Sequence, residues 1–388
     1  NRIALSGSSA SITGALDQSA QTPVLAETVA DVQYVPAPAE FSAHAAANLV
    51  QASTDGIGRT DIGPPFTSNA YPNRLNAGSN PLAGRLAFTG DSGGWVESVA
   101  EASDGRIQVQ VFPAQQLGRA PDHYDMARDG IVDLAWVNPG YTAGRFPIYA
   151  LTEVPFMVDD SVEGAKAIHE WYLENGAEQE MGDVKVCFVH PHAPGAFHSK
   201  VDVTSPADVK GQNVRPAHAT MARFVSLLGG GPVQVPAPEV REALSKGTAE
   251  AVTFPWGSMY DFNLTGEVPV HLDMPFYMSA QVLVMNKNSY NALSDQNRAV
   301  IDDHCSADWS GRVAAGWAED DMAAKEKLMA DDSQTFNTPS EDDVAAWREA
   351  ATPLIDEWKT AVAAAGTDAD AAYDSLIETL RANDALYD

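Results

Sequence analysis

One arginine stands where this sequence is suited to bind an anion. Arg215 ends a strand-like run and is followed directly by Pro216 and a helix-like run in "GQNVRPAHATMARFVSLLGGG". The proline favours extended backbone at Arg215, and the helix N-terminus presents unpaired N–H groups at the same place. A guanidinium beside a helix N-terminus suits a carboxylate, because it offers two parallel hydrogen bonds and partial positive charge. We predict that Arg215 binds a carboxylate; the alternative is a surface ion pair with a nearby acid.

Other strand-like runs end in the same way. Two further runs of the second half end at Val235-Pro236 and Phe254-Pro255, and one in the first half ends at Asn138-Pro139. Ligands bind outside the carboxyl ends of parallel strands, so we expect these ends to converge on one crevice. Small-molecule sites have apolar walls with a few polar groups, which makes the neighbouring residues Trp256, Asn138 and Tyr141 candidate ligand contacts. The alternatives are lobe packing for Trp256 and turn capping for the other two.

Two segments of the chain match each other without a gap. "PDHYDMARDGIVDLAWVNPG" and "PEVREALSKGTAEAVTFPWG" each begin with proline, continue as a helix, stop at a glycine (Gly130, Gly247) and then form a strand. These are the start and stop signals of a helix. The match predicts two lobes of shared architecture. The second lobe reads strand-helix-strand-helix-strand, which predicts parallel strands.

One lobe is predicted to consist of residues 81–192 plus 282–320. The other lobe, together with bracing helices, is predicted to consist of residues 193–281 plus 321–388. Residues 1–80 are weakly patterned and are predicted to be a poorly defined extension, with one possible strand in "TVADVQYVPAP". No convincing strand is expected over residues 60–93.

Three histidines lie close together in "VHPHAPGAFHSK". His190, His192 and His198 include a His-x-His pair, but no Cys, Glu or further His at a recognised spacing supports a metal site. No metal or other cofactor is therefore expected. The sequence also has no nucleophile elbow, zinc-protease helix, phosphate loop or dinucleotide fingerprint. We expect that the protein is not an enzyme; a two-lobed enzyme that uses these histidines is the alternative.

Composition excludes several partners. The formal net charge of -29 opposes binding to nucleic acid and to anionic lipid. No apolar run of about 18 residues exists that would embed the chain in a membrane. Cys187 and Cys305 are either free thiols or one bridge, and free thiols are favoured. The chain starts at Asn1 without a signal-peptide pattern, so we expect that a targeting segment was removed or that the N-terminus is incomplete.

Several motifs in order resemble one family over roughly residues 94 to 330. They include "GRIQVQVFPAQQLG", "DGIVDLAWVNPGYTAGRFP", "SPADVKGQNVRPAHA" and "PAPEVREALSKGTAEAVTFPW". The chain resembles solute-binding proteins of tripartite ATP-independent periplasmic (TRAP) transporters, in the dicarboxylate-binding type. The resemblance implies an α/β periplasmic-binding-protein fold, with two lobes of mostly parallel sheet flanked by helices and a long helix that spans both lobes. It also implies a monomer in the periplasm that captures a small organic acid and delivers it to the permease subunits.

The resemblance also assigns roles to single residues. The family's carboxylate-binding arginine falls on Arg215, and the family's residues near the last strand end fall on Phe254 and Trp256. It places His198 and Lys200 near the cleft, where either one could meet a second carboxylate. In "MPFYMS", Phe276 and Tyr277 lie toward the second hinge, where core packing and ligand stacking are both open.

The ligand itself stays open between a dicarboxylate, a 2-oxo or hydroxy acid and an aromatic acid. The asparagine of the sialic-acid-binding branch is absent, so sugar acids are disfavoured. A binding protein of another importer or a sensor is the remaining alternative.

Overall fold

The computed structural model describes residues 74–78, 94–112 and 115–387. Its strands are β1 (Arg74–Gly78), β2 (Gln108–Phe112), β3 (Leu134–Val137), β4 (Val184–Pro191), β5 (Gly195–Ser199), β6 (Asn213–Arg215), β7 (Gly231–Pro232), β8 (Ala251–Phe254), β9 (Val270–Tyr277), β10 (Ala280–Asn286) and β11 (Thr335–Asn337). Its α-helices are α1 (Trp95–Ala102), α2 (His123–Arg128), α3 (Ser161–Asn175), α4 (Ala177–Met181), α5 (Ala219–Leu227), α6 (Val240–Ser245), α7 (Trp256–Asp261), α8 (Lys287–Asn291), α9 (Asp295–Asp303), α10 (Ala307–Met329), α11 (Glu341–Ala364) and α12 (Ala369–Ala382).

The strands form two separate sheets. The first has the order β2-β1-β3-β10-β4, and the second has the order β11-β9-β5-β8-β6-β7. In the first sheet β1 runs parallel to β2 and β3, and in the second β6 runs parallel to β7 and β8. The chain passes from one sheet to the other between β4 and β5 and returns between β9 and β10. The predicted α/β fold with two lobes is confirmed.

The two matching segments fold in the same way. Each begins with a 3-10 turn, Ala120–Asp122 or Ala237–Glu239, which leads into α2 or α6. Each helix ends at a glycine with positive φ, 72° at Gly130 and 70° at Gly247, a conformation that glycine adopts without steric cost. The residue after each glycine donates to the carbonyl five residues back, at 2.8 and 2.9 Å. β3 and β8 then follow. The two segments that match in sequence therefore share the same turn-helix-strand structure.

One long helix connects the two cores. On α10, Trp309, Val313 and Trp317 pack with the residues of the first sheet, while Ala324 and Leu328 pack with those of the second. The predicted helix that spans both lobes is therefore confirmed. Among the described residues, no helix has both the length and the apolar character required to cross a membrane.

The predicted absence of a strand between residues 60 and 93 was wrong, because β1 lies there. β1 is hydrogen-bonded on both sides, to β2 and to β3. Pairing with two neighbours supplies a preference that the local sequence "RLNAG" lacks. The strand expected to end at Val235 is also displaced, since the strand in this region, β7, is Gly231–Pro232. The possible strand "TVADVQYVPAP" lies outside the described residues.

The preference for free thiols was also wrong. Cys187 and Cys305 form a disulfide across a sequence separation of 118 residues. Cys187 is a buried residue of β4, and Cys305 lies between α9 and α10. The bond therefore attaches the start of the long helix to the first sheet. Distance in the sequence did not reveal this contact, because it depends on the docking of α9 and α10 against that sheet.

We expect the disulfide to contribute measurably to stability, because it restricts the unfolded chain across a long loop. The double substitution Cys187→Ala with Cys305→Ala should lower the free energy of unfolding by about 2–5 kcal/mol in urea titrations. As a control, a reductant should destabilise the unsubstituted protein and leave the double variant unchanged. Equal stability of the two proteins under oxidising conditions would contradict this prediction.

Candidate functional site

Arg215 is the centre of the site. It ends β6, and its relative exposure is 0%. Its Nε donates to the carbonyl of Val235 at 3.0 Å, and the guanidinium carbon lies 4.5 Å from the ring centroid of Phe254. Neither terminal nitrogen has a hydrogen-bond partner in the described part of the chain. The surface ion pair considered as the alternative is therefore not what the structure shows.

Two tyrosines flank this guanidinium. Burial lowers the pKa of Arg215, and the neighbouring hydroxyls of Tyr141 and Tyr277 act in the opposite direction. Tyr277 is 1% exposed, and its hydroxyl has no hydrogen-bond partner among the described residues. Burial raises the pKa of Tyr277, so its phenol is neutral and retains a proton to donate. A buried polar group without a partner costs about 1–3 kcal/mol, and an anion hydrogen-bonded to these groups would offset this cost.

The two lobes touch beside this site. The Tyr141 hydroxyl, on the side of the first sheet, accepts a hydrogen bond from the Ala237 N–H on the side of the second, at 3.2 Å. Arg119 and Glu239 approach to 4.0 Å nearby, where both side chains are exposed. Asn138 precedes the turn that carries Tyr141, and its buried Oδ1 lacks a partner in the described region. Tyr141 thus reaches the interlobe boundary, and Asn138 lies three residues before it in the chain.

A second buried pair lies at the same boundary. His218 is the N-cap of α5, where its Nδ1 accepts the Met221 N–H at 3.2 Å, and Glu153 Oε2 lies 3.4 Å from that nitrogen. Burial raises the pKa of Glu153 well above its usual value and lowers the pKa of His218 to about 3. Both groups are therefore neutral, and the contact is not an ion pair. A Cβ on Gly140 would lie 2.5 Å from Glu153 Oε1, so only glycine allows this close approach.

The structure places two predicted contacts in hydrophobic packing instead. Trp256 stacks on Phe336 with ring centroids 5.6 Å apart, inside the core of the second lobe. Phe276 packs against Phe224 and Trp347 in another core cluster. These positions favour the packing alternative for both residues. Phe254 differs, because its ring faces Arg215.

His198 is fully engaged within the second lobe. Its Nδ1 lies 2.8 Å from Nδ1 of His271, and its Nε2 lies 3.0 Å from the carbonyl of Phe254. Neither ring nitrogen is left to meet a second carboxylate of a ligand. His192 is similarly engaged, since its Nε2 accepts the Ser279 N–H at 2.9 Å. In the residues that the structure describes, no group of three or more His, Cys, Asp or Glu is placed to hold a metal ion.

The sequence places Tyr277 with Phe276 near the second hinge, with core packing and ligand stacking both open. Tyr277 follows Phe276 on β9, and successive strand residues point to opposite faces, so alternation separates the two. Two other residues at the boundary, Glu153 and His218, are not predicted as contacts. Glu153 and His218 carry no sequence signal of their own, since one lies in a 3-10 turn and the other resembles an ordinary helix cap.

The chain forms two α/β lobes that are connected by two passages of the chain between the sheets and by a long helix, with a buried arginine at their boundary. This arrangement is that of a solute-binding protein of the periplasmic type. The model of the family "Bacterial extracellular solute-binding protein, family 7" matches residues 89–361. The chain belongs to this family, and its structural neighbours are TRAP solute-binding proteins. A separate match to the family "Holdfast attachment protein D" covers residues 1–63, outside the described part of the chain.

Individual relatives agree with this assignment. A TRAP solute-binding protein from Rhodoferax ferrireducens T118, in complex with copurified benzoate, is 28% identical with a TM-score of 0.76 and covers 80% of this chain and 98% of its own. One from Bordetella bronchiseptica, with bound mandelate, is 26% identical with a TM-score of 0.74 and covers 80% and 99%. The 2,3-diketo-L-gulonate-binding periplasmic protein of Escherichia coli is 26% identical over 50% of this chain and 61% of its own.

The neutral state of Glu153 has a consequence for stability. The folded protein retains a proton that the unfolded chain releases above about pH 4.3, so folding stability falls as the pH rises, by up to about 1.4 kcal/mol per pH unit. Glu153→Gln keeps a neutral group of similar shape, and its stability relative to the original protein should increase between about pH 5 and pH 8. Urea unfolding at several pH values measures this.

A matched control is Glu174→Gln, which alters an exposed residue of α3. Its stability difference from the original protein should stay constant across the same pH range. Parallel pH curves for Glu153→Gln and the original protein would show that Glu153 is ionised in the folded state.

Proposed function

We propose that this protein captures a small organic acid between its lobes, with Arg215 binding the carboxylate, and delivers it to a TRAP permease. The observation that carries the proposal is the buried guanidinium with two terminal nitrogens that lack protein partners. A charge removed from water is expensive unless it is paired and hydrogen-bonded. A carboxylate supplies both the charge and two parallel acceptors.

The charge of the site favours a monocarboxylate over a dicarboxylate. Arg215 is the one buried Lys or Arg in the described part of the chain. A second carboxylate would be buried without a cation, which is strongly unfavourable. Aromatic side chains border Arg215, namely Phe254 beneath the guanidinium and Tyr277 beside it. Relatives with bound benzoate and mandelate support a ring-bearing monocarboxylic acid as the ligand class.

Closure of the lobes follows from the same contacts. The two crossings between the sheets and the long helix α10 are the connections that a hinge motion would bend. The hydrogen bond from Ala237 to Tyr141 joins the lobes next to Arg215. A ligand stabilises the closed form only through contacts that the open form lacks, and this hydrogen bond closes the boundary around it. We assign residues 81–192 plus 282–320 to one lobe, together with β1, and residues 193–281 plus 321–388 to the other.

The periplasm is the proposed location, and a transporter is the proposed partner. A relative is named as a periplasmic binding protein, and the disulfide between Cys187 and Cys305 suits an oxidising compartment. The family consists of solute-binding proteins, and His192 and His198 are engaged within the protein. These observations favour a solute-binding role over the two-lobed enzyme.

Binding of organic acids to Arg215→Ala tests the proposal. A thermal-shift screen should first identify acids that stabilise the original protein, since a ligand at 100 times its dissociation constant adds about 2.7 kcal/mol. Arg215→Ala should then weaken binding of the best acid by about 30-fold or more, because loss of one partner of a buried charge pair costs about 2–5 kcal/mol. Isothermal titration calorimetry measures the change.

Arg223→Ala is the matched control, because Arg223 lies on the same lobe but is exposed and paired with Glu357. Its affinity should equal that of the original protein. Unchanged affinity in folded Arg215→Ala would reject the proposed role of the guanidinium.

A further inference from the structure

A second group of buried polar side chains lies away from Arg215, and we call it the distal cluster. Each member is 5% exposed or less, and each has one polar atom with no hydrogen-bond partner among the described residues. These atoms are His190 Nε2, Ser258 Oγ, Gln281 Oε1, Trp317 Nε1 and Asp321 Oδ2. Native interiors leave few such groups, so five in one region require an explanation.

The long helix brings the distal cluster together. Trp317 and Asp321 are four residues apart on α10 and therefore lie on one face of it. His190 is the direct partner of Gln281 in the pairing of β4 with β10, and its ring centroid is 6.1 Å from that of Trp317. These four residues therefore belong to the first sheet and to α10.

The second lobe supplies the remaining member. Asp321 Oδ1 accepts the N–H of Gly257 at 2.7 Å, and Ser258 is the next residue of α7. The distal cluster therefore lies where α10 passes from one lobe to the other.

Tyr277 links the distal cluster to Arg215. Tyr277 ends β9, and Gln281 lies four residues later on β10. The Tyr277 ring centroid is 5.5 Å from that of His192, two residues beyond His190. On its other side, burial raises the pKa of the Tyr277 phenol and the charge of Arg215 acts against that rise. A ligand held by Arg215 and extending past Tyr277 would meet the distal cluster next.

The distal cluster contains donors and acceptors but no cation, because the Ser258 hydroxyl and a protonated carboxyl can both donate and accept. Burial lowers the pKa of His190 to about 3, so its ring is neutral, and its Nδ1 donates to the Pro191 carbonyl at 3.2 Å. The only proton of that ring is then on Nδ1, which leaves Nε2 as an acceptor. Trp317 Nε1 is a donor, and the Gln281 oxygen is an acceptor. Burial raises the pKa of Asp321 to about 8, so this carboxyl is mostly neutral at pH 7.

A hydroxyl group matches this set. It donates one hydrogen bond, to His190 Nε2 or to the Gln281 oxygen, and it accepts one from Trp317. A second carboxylate would find no cation there, and an ammonium group would face the Trp317 N–H as well as the acceptors. The chemistry therefore selects an uncharged group that both donates and accepts.

We propose that the distal cluster binds a hydroxyl group on the same ligand whose carboxylate is bound by Arg215. This inference rests on the proposed function and narrows it, because the ligand becomes a hydroxylated, ring-bearing monocarboxylic acid. Trp317, Gln281 and His190 then determine specificity, while Arg215 supplies the charge interaction common to all acids.

The test compares acids that differ only by a hydroxyl group. Benzoate is measured against the isomeric hydroxybenzoates, and phenylacetate against mandelate and the hydroxyphenylacetates, by calorimetric titration. At least one hydroxylated acid should bind about tenfold or more tightly than its parent, because a site built to hydrogen-bond a hydroxyl discriminates strongly against the analogue that lacks it. Trp317→Phe should remove most of this preference, measured within the variant as the ratio of its dissociation constants for the parent and the hydroxylated acid.

Trp309→Phe is the matched control, since it makes the same change on the same helix within the core of the first lobe. It should keep the hydroxyl preference. Ser258→Ala and Gln281→Leu provide further variants if Trp317→Phe does not fold, and each should reduce the preference in the same way.

The possible failures are distinguishable. If no acid binds, or if folded Arg215→Ala binds as well as the original protein, the proposed function is wrong. If acids bind through Arg215 but hydroxylation brings no gain, or if Trp317→Phe weakens parent and hydroxylated acids equally, only the distal cluster inference is overturned. The inference would also be overturned if an ammonium group increased the affinity more than a hydroxyl group does, measured with 4-(aminomethyl)benzoate against benzoate. The distal cluster would then be assigned to cations.

Discussion

The fully buried guanidinium of Arg215 is the constraint on which the rest of this structure depends. One of its nitrogens is bonded to the Val235 carbonyl, and the other two have no protein partner in the described part of the chain. A buried cation in this state is costly, and the protein bears that cost at the boundary between two lobes. Under the proposed function, an anion enclosed by both lobes would offset this cost, and binding would then be coupled to closure.

The long helix α10 connects the two lobes on either side of that charge. α10 inserts side chains into the cores of both lobes, and the disulfide at its start attaches it to β4. Asp321 attaches the same helix to α7, which follows the strand end next to Arg215. The helix is thus more than a brace, because its central turn brings polar side chains from both lobes to one place.

Four buried titratable groups between the lobes are uncharged. Burial keeps Glu153 and Asp321 protonated and His190 and His218 uncharged at neutral pH. Any ionised acid close to Arg215 would satisfy the guanidinium and compete with the ligand. Although the chain has a net charge of -29, the acids Glu153 and Asp321 at the boundary therefore do not oppose the anion binding proposed above.

Local sequence determined the repeated helix-strand units, the glycine stops at Gly130 and Gly247, and the position of Arg215 before Pro216. These features depend on backbone preferences within a few residues, which the sequence displays directly. Tertiary structure alone decided the strand β1, the disulfide, and the choice of Phe254 and Tyr277 over Trp256 and Phe276 as neighbours of the arginine. Each of these depends on strand pairing and helix docking between distant segments, and the face that a side chain presents changes with every shift of that register.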